Sequence, residues 1–210
     1  MLIRRHDAAL DEDEWRDFLR THDFGQLVAS GSGHDVAVVV PTHFIYDGAT
    51  TIELHLAKPN PAWERLEENP LALVSVIDAY TYVPTDWNAE APRPVEAGVP
   101  TSYYAAVQAI CRFEIVDEPA ALAALLTRQL AHFQPQGGHA AVAGGSGPYA
   151  ALLPAIRGLR GEIVEVRAKF KFGGNKTREH RTRIADRLQD RGAPRDAVAR
   201  EHLVRRLGAS

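Results

Sequence analysis

Short apolar runs separated by turn residues fill the first third of the chain. Gly31-Ser32-Gly33 and Asp47-Gly48 fall between such runs and are typical turn signals. Four runs of strand length occupy residues 25–29, 36–46, 51–57 and 72–77. This spacing predicts an antiparallel meander or barrel rather than alternating βαβ units.

Helical periodicity marks three further segments. Residues 11–22 place apolar side chains at i, i+3 and i+4 behind an acidic first turn. Residues 118–133 carry the clearest apolar stripe, and Asp117 is in position to cap that helix. A short helix is predicted over residues 61–70, because a proline begins the segment and another follows its last turn.

The rest of the chain alternates between strand, loop and helix patterns. Residues 80–100 contain four prolines and three aromatic residues, which indicates a long ordered loop or lid. Strands are predicted over residues 103–116 and 162–172, where apolar and polar positions alternate. Helices are predicted over residues 149–156, 177–191 and 194–207, with Gly192 between the last two.

Charge is distributed unevenly along the 210 residues. The net charge is −3, yet residues 168–210 hold 12 Lys or Arg against 5 Asp or Glu, a surplus of +7. Residues 1–167 therefore carry −10. A basic tail on an acidic body could bind nucleic acid or a phosphorylated ligand, or could complement the acidic body. We expect a single domain over 1–210 with a basic helical extension at 176–210.

Composition also limits the chemistry. Cys111 is the only cysteine, in an apolar strand-like setting, so we expect a buried inert thiol and a reducing cytoplasm. No apolar stretch approaches the ~20 residues of a membrane span. None of the nine histidines forms a close pair in sequence, and His43 and His55 fall on separate predicted strands, so no metal site is expected. No residue pattern points to a catalytic acid, base or nucleophile.

One segment has the chemistry of an anion site. The strand containing His55 ends in Lys58 and Asn60, and a helix containing Trp63 begins at once. A cation, a side-chain amide and a helix N-terminus all suit a phosphate group. The alternative is a plain strand-to-helix turn with a surface lysine and an asparagine cap, and spacing alone does not separate the two.

The same segment, His55-Leu-Ala-Lys-Pro-Asn-Pro-Ala-Trp63, resembles the His-Leu-Ala-Arg-Ala-Asn-Pro-Gln-Trp motif of the PaiB-type FMN-binding negative transcriptional regulator family. Lys58 replaces the motif's arginine, which keeps the charge and loses the bidentate fork. Ser102-Tyr103 and Gly173-Gly174 replace the family's Trp-Asn and Ser-Gln. Other segments resemble family motifs in the same order along the chain, at residues 22–25, 82–87, 100–107 and 169–175.

This resemblance implies an α+β fold: an antiparallel split β-barrel of six to eight strands with surrounding helices and a helical C-terminus. It implies FMN as the cofactor and a homodimer with the flavin site near the interface. For the phosphate, the implied candidates are Lys58, Asn60, Thr101 and Ser102. For the flavin ring they are Thr42 and His43 on one strand, and Trp87 and Tyr104 at the loop. His55, Trp63 and Lys171 complete the implied cofactor-binding set. Trp63 and Tyr104 could instead be core anchors, and His55 a hydrogen-bonded strand residue.

Three functions follow from these observations. The first is an FMN-binding protein of PaiB type with a role in transcriptional regulation. The second is an FMN-dependent oxidoreductase of the split-barrel flavin reductase class. The third is direct DNA binding through the basic C-terminal helices. The basic residues concentrate on the first of the two helices, whereas a helix-turn-helix protein that reads DNA would carry them on the second.

Overall fold

Seven strands form one antiparallel sheet in the computed structural model, which describes residues 1–90, 92, 94–143 and 146–208. Their order across the sheet is β2-β1-β5-β6-β7-β4-β3. Both the predicted α+β class and the predicted number of strands are confirmed. The strands are β1 (Phe24–Ala29), β2 (Val38–His43), β3 (Ile45–Tyr46), β4 (Thr51–Ala57), β5 (Leu71–Val83), β6 (Thr101–Val116) and β7 (Ile156–Lys171).

Five α-helices accompany the sheet. They are α1 (Glu12–Thr21), α2 (Ala62–Glu68), α3 (Pro119–Phe133), α4 (Arg178–Arg191) and α5 (Asp196–Gly208). Within the described ranges, none of these helices combines the length and the apolar character that a membrane crossing requires.

The contacts between residues divide the chain into two compact units. Unit 1 comprises Met1–Trp15, Ile77–Val107 and Arg167–Ser210, and unit 2 comprises Arg16–Val76 and Gln108–Val166. Strands β5, β6 and β7 each contribute residues to both units. The single domain predicted over 1–210 stays a prediction, and the basic extension at 176–210 belongs to unit 1.

In unit 2, the two edge strands of the sheet are joined by a single residue. Phe44 alone separates β2 from β3, and its side chain is buried. Cα atoms two residues apart lie within ~7.6 Å of each other. The first and last strands of the sheet therefore meet at Phe44, which fits a rolled sheet whose described edge strands are not hydrogen-bonded to each other.

Helix α3 packs closely on the sheet of unit 2. Its N-cap is Glu118, whose carboxylate accepts hydrogen bonds from the backbone N–H groups of the first turn. Asp117, predicted as the cap, instead accepts two hydrogen bonds from Arg157. On β7, a Cβ added to Gly158 would lie 3.0 Å from the side chain of Leu125. Glycine at this position lets the helix approach the strand.

In unit 1, helices α4 and α5 form a packed pair at the end of the chain. Thr177 caps α4 through its hydroxyl, and Gly192 ends it in the left-handed conformation with φ 58°. The buried Asp196 begins α5 and accepts hydrogen bonds from Arg191 and from the hydroxyl of Thr81. These contacts tie the helix pair to β5.

The basic tail is complemented by acidic residues of the same unit, as one of the sequence-based alternatives holds. The pairs join cations of the tail to carboxylates from earlier in the chain: Lys176 with Glu90, Arg187 with Asp86, Arg195 with Asp78, and Arg206 with Glu14. The tail therefore serves at least in part to neutralise charge within one chain.

Two element predictions are wrong. Strand β5 continues to Val83, so Tyr80 and Tyr82 are exposed strand residues rather than part of a loop, and only residues 84–100 remain as the predicted lid. Residues 91 and 93 of that loop lie outside the described residues. The helix predicted over 149–156 is only a 3-10 turn at Leu153–Ala155, because Ile156 already begins β7 by pairing with Ala57.

Candidate functional site

Strand β4 and helix α3 lie against each other in unit 2 and form what we call the β4–α3 seam. At one end of the seam, Arg128 donates two hydrogen bonds of 2.7 Å to the carboxylate of Glu53. The side chain of His55 meets Gln129 one step further along. Lys58 lies beyond the end of β4, beside Leu122 of the first helical turns. Two predicted site residues, His55 and Lys58, thus lie on or beside this seam, and His43 and Trp63 are close to them.

The histidine end of the seam contains an unused hydrogen-bond donor. Nδ1 of His55 lies 2.6 Å from Oε1 of Gln129, and because an amide oxygen only accepts, the imidazole must donate. The Nε2 group of Gln129 has no hydrogen-bond partner, although the residue is only 3% exposed. Buried amide groups are normally satisfied, so this amide is suited to donate to a bound ligand.

His43 stands beside that pair on β2. Its ring centroid lies 5.3 Å from that of His55 and 5.0 Å from that of Phe133. Burial, followed by the neighbouring His55, lowers the pKa of His43, so its imidazole is neutral near pH 7. The preceding residue, Thr42, is buried and donates its hydroxyl to the carbonyl of His43. The arrangement is a neutral, partly aromatic surface with few polar groups.

The lysine end of the seam borders a cavity of about 410 Å³. Lys58 and Arg157 stand beside mostly apolar walls formed by α3 and the 3-10 turn, including Leu122 and Leu153. Arg157 is already engaged by Asp117 and Glu67, at 2.7 Å each. Lys58 forms no ion pair with the described residues, although the carboxylate of Asp117 also lines the cavity, and Arg157 and, to a smaller extent, Lys58 lower its pKa. The lining, apolar with few polar groups, is that of a small-molecule site.

Asn60 and Trp63 have structural roles at the start of α2. Oδ1 of Asn60 accepts from the backbone N–H of Ala62, which is the capping contact of the plainer alternative. The buried Trp63 donates from Nε1 to the carbonyl of Ala57, and the guanidinium of Arg157 lies 4.8 Å from its ring centroid. Both residues therefore fix the turn that carries Lys58.

The other predicted residues lie in unit 1. Nζ of Lys171 donates to Oγ1 of Thr101 at 2.7 Å, and the ring centroid of Tyr104 lies 5.9 Å from the same nitrogen. Ser102 follows Thr101 on β6 and is partly buried. Thr101 and Lys171 line a second cavity of about 570 Å³, which we call the basic cavity.

Sequence reasoning missed most of the basic cavity. Arg4, His6, Tyr103 and Lys176 also line it. Lys169 lines it too, and the alternation along β7 could have indicated this, since it places Lys169 and Lys171 on the same face. No local pattern connects the N-terminal residues with a strand more than 160 positions later.

One cluster of metal-type ligands was also missed. Ligand atoms of His34, Glu64 and Glu68 lie within 4.8 Å of one another in unit 2. A guanidinium nitrogen of Arg65 contacts Nε2 of His34, so a cation already stands where a metal ion would bind. The cluster is an ion-pair network.

Comparison with known families identifies the chain. Its residues 1–165 match the family described as "Putative FMN-binding domain", which is well over half of the sequence. The chain belongs to this family. Its cofactor is a flavin, and FMN is the flavin that the family's description names. A search of curated proteins gives no significant match.

Solved structures support the same fold. A flavocytochrome, Anf3, from Azotobacter vinelandii is 16% identical, with 81% of this chain and 73% of that chain covered and a TM-score of 0.58. A FAD and heme binding protein from Mycobacterium smegmatis is 18% identical, with 82% and 77% covered and a TM-score of 0.59. A conserved hypothetical protein from Mycobacterium tuberculosis is 15% identical, with 81% and 90% covered and a TM-score of 0.54. At these identities the likeness establishes the split-barrel fold alone.

Proposed function

We propose that the chain is a cytoplasmic FMN-binding protein of the PaiB type, with a regulatory role, and that the β4–α3 seam holds the flavin. The family match over residues 1–165 carries the proposal. The collinear resemblance to PaiB-type motifs supports the subtype. Two structural neighbours are named as flavin or heme proteins, which agrees with flavin binding on this fold.

The residues of the seam fit the parts of FMN. The unpaired Nε2 group of Gln129 suits a carbonyl oxygen of the isoalloxazine ring, and neutral His43 suits its polar edge. Thr42, on the opposite face of β2, supports His43 through the hydrogen bond to its carbonyl. Lys58, carried by the turn that Asn60 and Trp63 fix, suits the phosphate. His55 and Lys58 are three residues apart, about 10 Å of strand, so the ligand's two ends would bind at separate places.

When bound, FMN supplies an isoalloxazine ring that can accept and return a hydride or single electrons. The chain's own contribution is to bind and orient the ring and to exclude water from it. The carboxylates near the histidine end already have partners: Glu53 is held by Arg128 and Arg160, and Asp23 lies 2.9 Å from His132. This part of the seam, as far as the chain is described, therefore offers binding groups and no proton donor of obvious function.

The absorbance spectrum of the purified protein tests the proposal most directly. We expect the flavin bands near ~450 nm, and mass spectrometry of the released cofactor should give FMN rather than FAD. A colourless protein that also fails to take up added FMN would refute the proposal.

Lys58 is the residue to vary for the phosphate. A charge-assisted hydrogen bond contributes roughly 1.5–3 kcal/mol, so Lys58→Ala should weaken FMN binding by about ten-fold or more. The matched control is Lys58→Arg, which restores the family's residue and should bind at least as tightly as the native chain. Equal FMN affinity of all three proteins, measured by flavin fluorescence quenching, would reject Lys58 as the phosphate ligand.

Two assays separate the regulatory protein from the alternatives. Bleaching of the flavin by NAD(P)H would place the protein among the split-barrel oxidoreductases. Salt-sensitive binding to a DNA duplex would support direct DNA contact, and no binding at low salt would exclude it. The ion pairs that engage Lys176, Arg187, Arg195 and Arg206 leave fewer free cations for DNA than the sequence suggests.

We also propose a homodimer with the flavin site near the interface. In its support, Ile77, Tyr80 and Tyr82 expose large apolar or aromatic side chains on β5. Light scattering after gel filtration should give twice the chain mass. Tyr80→Asp should shift the mass toward that of one chain, and a monomeric native protein would refute the proposal.

A further inference from the structure

The basic cavity of unit 1 has more positive charge than its own carboxylates balance. Lys169, Lys171, Lys176 and Arg4 line it, and Asp7 is the carboxylate in its wall. Glu90 pairs with Lys176 at 3.3 Å. Four cations against these two carboxylates leave a formal charge of +2. A concave surface with such a surplus attracts anions.

Two of these lysines donate to neutral oxygens. Nζ of Lys171 lies 2.7 Å from the hydroxyl of Thr101, and Nζ of Lys169 lies 2.9 Å from the carbonyl of Leu2. These hydrogen bonds hold the ammonium groups in place without neutralising them. Each ammonium has three donors, so further donors remain for a ligand.

Tyr103 adds a buried donor without a partner. The residue is 1% exposed, its hydroxyl has no hydrogen-bond partner, and it lines the cavity. Burial raises the pKa of Tyr103 to about 12, so the hydroxyl keeps its proton. A buried hydroxyl that is left unpaired is unfavourable, and the acceptor that would satisfy it is an oxygen atom of a bound molecule.

Gly173 lets the chain pack closely against this hydroxyl. It has φ +70°, and a Cβ at this position would lie 2.2 Å from the oxygen of Tyr103. Any other residue would therefore collide with the hydroxyl group and would adopt a strained backbone conformation. The glycine stands where the family motif has serine, so this close packing is a feature of this chain.

We propose that the basic cavity binds a second ligand, a small organic diphosphate, separately from the flavin. Phosphate oxygens accept hydrogen bonds from ammonium and phenol groups alike. Lys169 and Lys171 stand two residues apart on one face of β7, about 7 Å of strand, so each can engage a different phosphate group. The volume of about 570 Å³ exceeds what the phosphates need, and Leu2 and Val99 supply apolar wall for an organic part. The proposal does not rest on the flavin site at the seam.

Calorimetric titration of the FMN-loaded protein at low salt tests this assignment. The probes are inorganic pyrophosphate and ADP, with inorganic phosphate and AMP as the single-phosphate comparison. We expect pyrophosphate and ADP to bind at least ten-fold more tightly than phosphate and AMP, with affinity falling as salt is added. The flavin spectrum is followed in the same samples and should not change.

Three variants locate the binding. Lys169→Ala should lower pyrophosphate affinity at least ten-fold and leave FMN retention unchanged, whereas Lys58→Ala should do the opposite. Tyr103→Phe should weaken pyrophosphate several-fold and yet raise the melting temperature of the ligand-free protein, because it removes an unpaired buried hydroxyl. A tyrosine that served packing alone would not produce both effects.

Three outcomes would overturn the proposal. One is the absence of pyrophosphate and ADP binding at millimolar concentration. Another is binding that Lys169→Ala leaves unaltered. The third is release of FMN by pyrophosphate together with loss of FMN in Lys169→Ala, which would make the basic cavity the flavin phosphate site. That third result, with Lys58→Ala unaffected, would also reject the phosphate placement proposed for the seam, while flavin binding itself would stand.

Discussion

The buried ion pair between Glu14 and Arg206 gives the sharpest prediction of stability. The two side chains are 3% and 7% exposed, and one guanidinium nitrogen lies 2.8 and 3.0 Å from the carboxylate oxygens. The other nitrogen donates to the carbonyl of Ala8 at 2.7 Å. Arg206→Met would leave the carboxylate of Glu14 buried, with the backbone N–H of Leu10, at 2.7 Å, as its remaining donor among the residues that the structure describes.

Removing one partner of a buried pair is expected to cost about 3–5 kcal/mol. For a chain of this length each kcal/mol lowers the melting temperature by roughly 2–4 °C, so Arg206→Met should lower it by about 6–20 °C. Urea unfolding followed by circular dichroism at pH 7 gives the free energy directly. The double variant Glu14→Gln with Arg206→Met should be less destabilised than the sum of the single variants, because no charge is then left unpaired.

An exposed pair on α4 provides the control. Arg183 and Glu179 are 50% and 85% exposed and stand at i,i+4 spacing. Arg183→Met should change the free energy of unfolding by less than about 0.5 kcal/mol. If Arg206→Met cost no more than Arg183→Met, or if the two changes at the buried pair were additive, the burial argument would be wrong.

Three further predictions concern acid stability, thiol reactivity and packing. The hydrogen bond from Arg191 is the largest of the causes that hold the pKa of Asp196 below its usual value. The stabilisation that Asp196 contributes is therefore complete above about pH 4 and is lost as the pH falls through the lowered pKa. Asp196→Asn should flatten the acid limb of a pH–stability profile, and an unchanged limb would contradict this. Burial raises the pKa of Cys111 to about 12, so Ellman's reagent should react at pH 8 only after unfolding, and rapid reaction of the native protein would disprove burial. A Cβ on Gly161 would lie 2.5 Å from the ring of Phe113, so Gly161→Ala should destabilise by about 1–3 kcal/mol in urea unfolding, and a neutral result would mean that the ring can move aside.

Local patterns predicted many of the elements well. The strand expected over residues 51–57 is β4 with the same bounds, because turn residues flank an unbroken apolar alternation. The α3 stripe, the short helix after Lys58 and the break at Gly192 are also confirmed. Each of these elements is determined by residues within a few positions of it, and sequence patterns carry information over that range.

The predictions failed where distant residues decide the structure. Asp117 looks like a helix cap, but Arg157, forty positions later, takes its carboxylate. The second half of β5 was predicted as part of a loop because Tyr80 and Tyr82 precede a proline-rich stretch. The strand nevertheless continues to Val83, with Ala79 at φ 56° inside it. The contact between His43 and His55 could not be predicted, because the two residues lie on separate strands and only the rolled sheet brings their rings together.

The site was predictable in part for the same reason. Lys58 and Asn60 stand in one short motif, so their chemistry could be inferred from spacing. The basic cavity assembles Arg4, Thr101 and Lys176 from three distant segments, and no motif joins them. The hydroxyl of Tyr103 is left unpaired by the way distant segments pack, which the sequence alone does not show.

The segmented construction of the two units has a consequence for how the chain is made. Unit 2 needs β7 to pair with β4, and unit 1 draws on the residues that follow. More than 150 residues must therefore be synthesised before either unit can fold completely. Until then, β1 to β6 expose apolar side chains that β7 and later residues cover in the finished structure. Neither unit should therefore fold before β7 has been synthesised, and fragments ending before β7 should depend on chaperones to stay in solution.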